Sequence, residues 1–398
     1  MKITILGGAG MMGQGIIRDL LSDRAIIRIE ELRVPDSSAQ RLEELQREFG
    51  ADPRLRLTQL DVTHAAALRG SLVGADLCIN AVPTLAGHQM LIFEAALNGR
   101  VHYVDLGGLG IYTVKQLEWR ERFREAGVCA VLGVGGDPGM SNVICRAVAD
   151  ELDEIDRINL YWAAEFLGPE NPVLVPPYSV STVLAEYARP STQFLEGRHV
   201  SCVPLSGLET LELPEPWGSC EFMYSPHSEP LTVPLASGIR EKGIKEFTWK
   251  LHLPHREHET WIGLIKAGFG DFDEPVTVGG ATVKPLDVLN AVIFRNIARN
   301  KERIPAQEGH DIHFAIGRGR KQGVPTTARC EVIVRPNALY EGYLDAATSM
   351  NASIAAQLLL AGDRPPGVFA PEEFFNIPTY FRELEKRRFI VNRHVTTG

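Results

Sequence analysis

The stretch "KITILGGAGMMGQGI", residues 2–16, decides the fold. Its first letters are apolar enough for a buried strand, and "MMGQGIIRDLLSD" continues with apolar residues at helical spacing. Between them stands G-x-G-x-x-G, whose glycines allow a tight turn and let the backbone approach a pyrophosphate at a helix N-terminus. The predicted dinucleotide contacts are Gly8, Gly10, Met11, Met12 and Gly13. The alternative is an α/β turn without a ligand.

Composition excludes several classes of function. The 398 residues carry a net charge of −9, with both signs mixed along the chain, so we expect neither a nucleic-acid nor a membrane partner. The six cysteines are spaced too widely for a zinc site or a disulfide scaffold, which favours a reduced, cytoplasmic setting. The chain shows no signal-peptide pattern and no apolar run near the ~18 residues of a membrane span.

Residues 1–145 read as alternating strands and helices. Strand-like runs such as "ADLCINAVP" and "VHYVDLGG" are separated by helical stretches. This alternation predicts an α/β domain with a Rossmann-type doubly wound parallel sheet.

The rest of the chain has a different character. Residues 146–335 carry Pro-rich turns and alternating strands, including the Gly-Gly hairpin signal "EPVTVGGATVKP", and predict an α+β substrate and oligomerisation domain with a mixed or antiparallel sheet. In residues 336–398 we expect a strongly amphipathic helix, "DAATSMNASIAAQLLLAG", and a Pro-started helix, "PEEFFNIPTYFRELEKRRF", both returning to the first domain. We expect a homo-oligomer, specifically a homodimer.

The second strand bears on which dinucleotide binds. An acid is expected there, about 20 residues past the last glycine, to hold the ribose 2′-hydroxyl of NAD. The chain has Arg33 at that distance, and an arginine can pair with the 2′-phosphate of NADP, with Ser37 and Ser38 as added donors. In the alternative, Arg33 is a solvated strand-end residue and Asp36 or Glu31 binds the ribose.

The ends of later strand-like runs supply further candidates, because ligands bind outside the carboxyl ends of such strands. Asp61 could reach an adenine amino group, or it could cap the following helix. The backbone of "INAVP" would lie beside the nicotinamide ribose, or Asn80 could simply bond its own backbone. The cofactor contacts expected from this run are Asn80, Ala81, Val82 and Pro83.

Two more runs end at the same predicted edge. "YVDLGG" places Tyr103 and Asp105 there, and Asp105 is a candidate for orienting substrate or moving a proton, or else for capping the next segment. "GVGGDPGMSN" exposes backbone amides at a helix start, where close approach of a ligand or a domain hinge would serve an enzyme cleft.

Histidines of the second domain allow two interpretations. His252, His255 and His258 are spaced by three, but Pro254 and the absence of an accompanying cysteine or carboxylate cluster argue against a metal site, so we expect none. His227 lies in a turn as a candidate acid-base or substrate residue, although a surface turn is the commoner fate of such a sequence.

Taken in order, "ILGGAGMMGQGIIRDL", "CINAVP", "YVDLGG" and "GVGGDPGMSNV" resemble the saccharopine dehydrogenase-like oxidoreductases, and among them the bacterial L-lysine 6-dehydrogenases. The resemblance implies a Rossmann domain binding NAD or NADP, and it places Gly135, Asp137 and Pro138 close to the nicotinamide or the substrate. Arg33 departs from the acid of the NAD-using members. "EFTWKLHLPHREHE" stands where the lysine enzymes would have an arginine-containing strand.

The resemblance implies hydride transfer at a carbon that bears nitrogen. We expect a small amine or amino acid to be oxidised to an imine, with Asp105 as the base and Tyr103 and His227 behind it. One alternative is a C–N bond-forming enzyme of the saccharopine reductase or carboxyspermidine type. Another is a cofactor-binding protein without catalysis.

Overall fold

Strands and helices alternate along the first part of the chain. The computed structural model describes residues 1–272, 274–339 and 346–398. The first strands are β1 (Lys2–Leu6), β2 (Glu31–Asp36), β3 (Leu55–Gln59), β4 (Leu77–Asn80), β5 (His102–Asp105) and β6 (Cys129–Val131). The helices that follow them are α1 (Met11–Leu21), α2 (Ala39–Phe49), α3 (Ala65–Leu72), α4 (Gln89–Gly99), α5 (Thr113–Leu117), α6 (Arg120–Ala126) and α7 (Met140–Asp150).

Strands dominate the second part. They are β7 (Glu154–Leu167), β8 (Ser191–Leu195), β9 (Arg198–Cys202), β10 (Glu209–Glu212), β11 (Ser219–Tyr224), β12 (Glu246–His252), β13 (Val276–Val278), β14 (Ala281–Val283), β15 (Glu308–Lys321), β16 (Val324–Val334), β17 (Gly367–Phe369) and β18 (Ile390–Thr397). The helices are α8 (Val180–Ala188), α9 (Glu229–Thr232), α10 (His255–Leu264), α11 (Pro285–Arg299), α12 (Ala346–Ala361), α13 (Pro371–Phe374) and α14 (Ile377–Lys386).

The first sheet is the predicted doubly wound one. Its seven strands run in the order β17-β6-β5-β4-β1-β2-β3, and every neighbouring pair is parallel. The central strands are buried, as expected for a parallel sheet that helices cover on both faces. The prediction of a Rossmann-type sheet is therefore confirmed, and the carboxyl ends of β1, β4 and β5 form one edge.

The second sheet has nine strands and is mixed, as predicted. Along β10-β11-β12-β7-β15-β16-β18 only the β12–β7 pair is parallel. Outside this series, β8 pairs with β12, and β9 pairs with β8. The predicted Gly-Gly hairpin is confirmed as β13 and β14, which among the described strands pair only with each other. Gly279 and Gly280 both adopt the positive φ that such a turn requires.

The C-terminal region differs in detail from the prediction. α12 packs against α1, α14 and strands β4 and β5, so it is buried on nearly every side and is not amphipathic. The Pro-started helix is two helices, α13 and α14. β18 then joins the nine-stranded sheet, and the boundary expected after residue 145 falls inside α7. Within the described ranges, no helix is both long and apolar enough to cross a bilayer.

A buried ion pair attaches the C-terminal helices to the glycine-loop helix. The guanidinium of Arg387, just past α14, donates to both carboxylate oxygens of Asp19 in α1, at 2.8 and 2.9 Å. Ser353 and Gln357 of α12 donate to the same carboxylate. Asp19 and Arg387 are almost completely buried, so each charge depends on the other for its solvation.

We predict that Arg387→Met lowers the free energy of unfolding by about 3–5 kcal/mol, because it leaves the buried Asp19 carboxylate without its hydrogen-bonded cation, with Arg24 4.0 Å away. Urea denaturation at one pH measures the loss. Arg146→Met is the matched control, because Arg146 pairs with Asp150 at the surface and its loss should cost less than about 1 kcal/mol. Equal losses in the two variants would contradict the prediction.

Candidate functional site

The glycine loop is built for a close approach to a ligand. A side chain at Gly13 would lie 2.3 Å from the carbonyl oxygen of Gly8, so only glycine lets α1 start against the turn. Gly10 is the N-cap of α1, and the first helical hydrogen bond runs from Gln14 N to Gly10 O. The amides that precede this bond have no helical acceptor, and they form an anion site of the kind that a pyrophosphate fits.

The structure does not place Arg33 at the end of β2. Arg33 lies three residues before Asp36, where the strand ends, and its guanidinium donates to the carbonyl oxygen of Val73 and to Glu31. That Arg33 meets a 2′-phosphate therefore stays a prediction, and this geometry does not support it. Asp36 occupies the strand end, and its carboxylate accepts from Ala9 N in the glycine loop and from Ser38 N.

The residues after β4 lie against the glycine loop, as expected. A side chain at Gly7 would stand 3.0 Å from Val82 N, so the two turns touch. The Asn80 side chain accepts from Val82 N and donates to Tyr103 and Gln89, which is the local role weighed as the alternative. The backbone of Ala81, Val82 and Pro83 therefore remains the part of this run that can face a cofactor.

Asp61 is exposed two residues past β3. Its carboxylate accepts from the amide and hydroxyl of Thr63, and these hydrogen bonds lower its pKa. His64, not Asp61, is the N-cap of α3. Contact of Asp61 with an adenine stays a prediction.

Tyr103 and Asp105 are fully buried beneath the cofactor edge. Asp105 accepts from Gly107 N, Gly133 N and Gln116 Nε2, so it ties the turn after β5 to the turn after β6. These donors lower the pKa of Asp105, but burial has the larger effect and raises it. Tyr103 packs edge-on against Phe93, and burial raises its pKa well above the usual value. Neither side chain reaches the surface of the crevice.

Asp137 reaches the second sheet from the turn after β6. Its carboxylate bonds Nδ1 of His313 in β15, and both side chains are more than nine-tenths buried. Burial by itself would raise the pKa of Asp137, but the charge and hydrogen bond of His313 outweigh it and lower that pKa. Sequence reasoning named Asp137, with Gly135 and Pro138, and missed His313.

His227 is buried between two carboxylates. Its Nδ1 lies 3.2 Å from Glu229 and its Nε2 lies 3.7 Å from Glu186, while its ring stacks on Trp249 with centroids 3.8 Å apart. Burial alone would lower the pKa of His227, but the two carboxylates raise it to about 10. His227 is therefore an imidazolium at neutral pH and not the surface turn weighed as its alternative.

The cluster continues on both sides of His227. Ser141, in the first turn of α7, donates to Glu229 at 2.7 Å, and its proximity to Asp137 contributes to the lowered pKa of Asp137. Tyr178 donates its hydroxyl to Glu186. The structure thus brings together Asp137, His313 and the Glu186–His227–Glu229 group. Of the three residues that sequence reasoning missed, His313, Glu186 and Glu229, only Glu186 left a sequence signal, a lone charge within the apolar "VLAEYA" of α8.

Of the three spaced histidines, the side chain of His255 lies outside the described residues, and the other two do not converge. His252 ends β12 and faces the carbonyl oxygen of Glu221, whereas His258 in α10 faces the hydroxyl of Tyr187. In the part of the chain that the structure describes, no group of three or more metal-binding side chains comes together.

Comparisons with known proteins bear on this site. Residues 3–131 match the family described as "Saccharopine dehydrogenase NADP binding domain". Saccharopine dehydrogenase (L-Glu forming) from Saccharomyces cerevisiae superposes over 100% of both chains with a TM-score of 0.71 at 15% identity, which establishes the fold. Residues 3–131 are thus similar to a domain described as NADP-binding, and this similarity supports NAD(P) as the cofactor.

Two curated relatives are similar over part of the chain. Carboxynorspermidine synthase of Vibrio alginolyticus is 27% identical over 243 residues, which cover 56% of this chain and 54% of the relative. Carboxyaminopropylagmatine dehydrogenase of Synechocystis sp. is 31% identical over 94 residues, 22% of this chain and 23% of the relative. The first match thus spans about half the length of each protein.

We predict that Asp105→Ala lowers the free energy of unfolding by at least about 3 kcal/mol, because it leaves three donors without their acceptor. Asp105→Asn should cost about 1 kcal/mol, since its oxygen can serve the two backbone amides while the Gln116 amide turns to accept. Urea denaturation measures both losses. If Asp105→Asn were as unstable as Asp105→Ala, the anchoring role would be wrong.

We predict that stability falls as pH rises through the alkaline range. His227 has a pKa of about 10 when folded and about 6.5 when unfolded. Its contribution to the free energy of unfolding is therefore complete below pH 6.5 and is lost progressively as the pH rises to about 10. Between them, the free energy of unfolding should fall by roughly 1.4 kcal/mol per pH unit more steeply in the wild type than in His227→Gln. Parallel pH profiles from urea titrations of the two proteins would contradict this.

Proposed function

We propose that the chain is an NAD(P)-dependent oxidoreductase acting on a C–N bond of a polyamine-related amine. The observation that carries the proposal is the Asp137–His313 pair. It links the turn after β6, at the cofactor edge, to the facing sheet, beside a cluster rich in carboxylates. A hydride acceptor and a proton acceptor are then neighbours, which oxidation of an amine requires.

The residues of the chain have separable roles. Bound NAD(P)⁺ supplies the hydride acceptor, and the carbon–nitrogen single bond becomes a double bond as the carbon loses hydride and the nitrogen loses a proton. His313 takes that proton in its neutral form, and the protonated form that results is the one whose charge lowers the pKa of Asp137. The Asp137 carboxylate accepts a hydrogen bond from Nδ1 of His313. It therefore orients the imidazole ring and stabilises the imidazolium that forms. In the reductive direction, His313 returns the proton.

His227 and Asp105 have supporting roles in this proposal. Because His227 already carries its proton at neutral pH, it cannot act as the base; it balances the charges of Glu186 and Glu229. Asp105 and Tyr103 are buried below the crevice and position the turns that face the cofactor. This replaces the expectation that Asp105, Tyr103 or His227 exchanges protons with substrate.

The charge of the cluster supports an amine as substrate. The groups that chiefly act on Asp137 are His313 and His227, and those that act on His227 are Glu229 and Glu186, with no lysine or arginine among them in the described ranges. Such a site favours a cation. The names of the relatives, carboxynorspermidine synthase and carboxyaminopropylagmatine dehydrogenase, support a polyamine-related amine and a C–N bond-forming direction.

The narrower alternative is oxidation of the side-chain amine of lysine, which the sequence resemblance favours. Two assays separate the reactions. L-lysine, 1,3-diaminopropane, putrescine and agmatine are each incubated with NAD⁺ or NADP⁺, and formation of reduced nicotinamide is followed by absorbance. The same amines are then combined with an amino acid that carries an aldehyde, together with NADH or NADPH, and its consumption is followed.

Each outcome has one meaning. Consumption of reduced cofactor only with a diamine and an aldehyde supports C–N bond formation. Oxidation of lysine alone supports the narrower alternative. Cofactor binding without an absorbance change in any mixture would overturn the proposal in favour of a non-catalytic dinucleotide-binding protein.

We predict that His313→Gln lowers turnover by about 10²–10⁴-fold, the usual loss when a general base is removed, while NADH binding stays within about twofold. His310→Gln is the matched control: His310 lies on the same strand, three residues away, and so points to the opposite face. Its turnover should stay close to that of the wild type. Full turnover in His313→Gln would overturn the assignment of the base.

A further inference from the structure

The carboxyl end of β2 decides which dinucleotide can be seated on the glycine loop. In this fold the adenosine ribose lies beside that strand end, with its 2′-position toward the residue there. The chain places Asp36 at this point, close enough to the loop that Asp36 Oδ2 accepts from Ala9 N at 3.1 Å. The carboxylate is therefore held at the rim of the cofactor site and is not free to swing away.

Asp36 retains the capacity to bind a ribose. Its oxygens accept one backbone amide each, Ala9 N and Ser38 N, and each carboxylate oxygen has room for a second donor. The ribose of NAD offers a hydroxyl donor at the 2′-position. The corresponding group of NADP is a phosphate, which has no such donor at neutral pH and carries the same sign of charge as Asp36.

The cation that could favour a 2′-phosphate is turned away. Arg33 reaches back across the start of the sheet, donates to the carbonyl oxygen of Val73 at 2.6 Å and pairs with Glu31 at 3.0 Å. Binding a phosphate would require Arg33 to leave both partners and pass the end of its own strand. Of the two serines named as candidate donors, Ser38 accepts from Arg41 N as the N-cap of α2, and Ser37 is exposed next to Asp36.

We propose that Asp36 makes the chain select NAD(H) over NADP(H), with Arg33 having no part in cofactor choice. The proposal rests on the nicotinamide cofactor of the proposed function and adds which of the two dinucleotides it is. It runs against the "NADP" in the description of the family that residues 3–131 match. The two statements concern different scales. The family description covers the whole domain, whereas the choice between NAD(H) and NADP(H) depends on the residue at the end of β2.

Equilibrium binding tests the proposal without any amine substrate. NADH and NADPH are titrated separately into the full chain, and the dissociation constants are read from nicotinamide fluorescence and repeated by calorimetry. We expect NADH to bind at least about tenfold more tightly than NADPH, since one ribose hydrogen bond to a charged acceptor is gained and one like-charge contact is avoided.

Three variants separate the possible roles. Asp36→Asn keeps an oxygen acceptor but removes the charge, and Asp36→Ala removes both; in each, the ratio of the two dissociation constants should shrink by about tenfold, mainly through tighter NADPH binding in Asp36→Asn. Arg33→Gln is the matched control, in the same strand and with a comparable loss of charge. It should leave the ratio unchanged.

The opposing results are equally definite. Tighter binding of NADPH by the wild type, or selective loss of NADPH binding in Arg33→Gln, would restore the 2′-phosphate role of Arg33. Equal weakening of both cofactors in the Asp36 variants, with an unchanged ratio, would show that Asp36 only braces the glycine loop. Because no amine is present, failure of every amine assay would leave a measured NADH preference intact, so the two proposals fail separately.

Discussion

The contact between Asp137 and His313 fixes the cofactor-binding sheet against the nine-stranded sheet at one buried point. Both side chains are almost completely removed from water, so neither can lose its partner without leaving a buried polar group unsatisfied. The turn that carries Asp137 is itself held from below, since Gly133 N donates to Asp105. The cofactor edge therefore cannot move away from the facing sheet while these contacts last.

The first turn of α7 joins this contact to the rest of the cluster. Ser141 donates to Glu229, and Asn142 accepts from Gly139 N while donating to Glu372 in α13. Burial raises the pKa of Glu372 to about 7. One helix start thus collects polar groups from both sheets and from the C-terminal helices. A site assembled in this way has its chemistry and its stability in the same residues, because the hydrogen bonds that satisfy its buried groups also hold its elements together.

Local patterns predicted the parts of the site that lie within single turns. The glycine turn before α1, the placement of "INAVP" at the end of a strand, and the turn that carries Asp137 followed from strand-turn-helix logic. His313 did not, because it lies 176 residues from Asp137 and its strand carries no motif. Arg33 was predicted at the end of β2 because counting from the glycines assumes a fixed distance to that strand. The segment between α1 and β2 is longer than this count assumes, so β2 ends at Asp36. Similarly, α12 has small residues on every side, so its sequence could not show how completely its neighbours would bury it.

A crystal structure of the chain with NADH and 1,3-diaminopropane would show whether the Asp137–His313 pair lies between the nicotinamide and the amine. The account predicts the nicotinamide ring between the glycine loop and the Asp137–His313 pair, with an amine nitrogen within about 3.2 Å of that pair. A nicotinamide ring directed elsewhere, or a diamine bound away from Asp137 and His313, would contradict it.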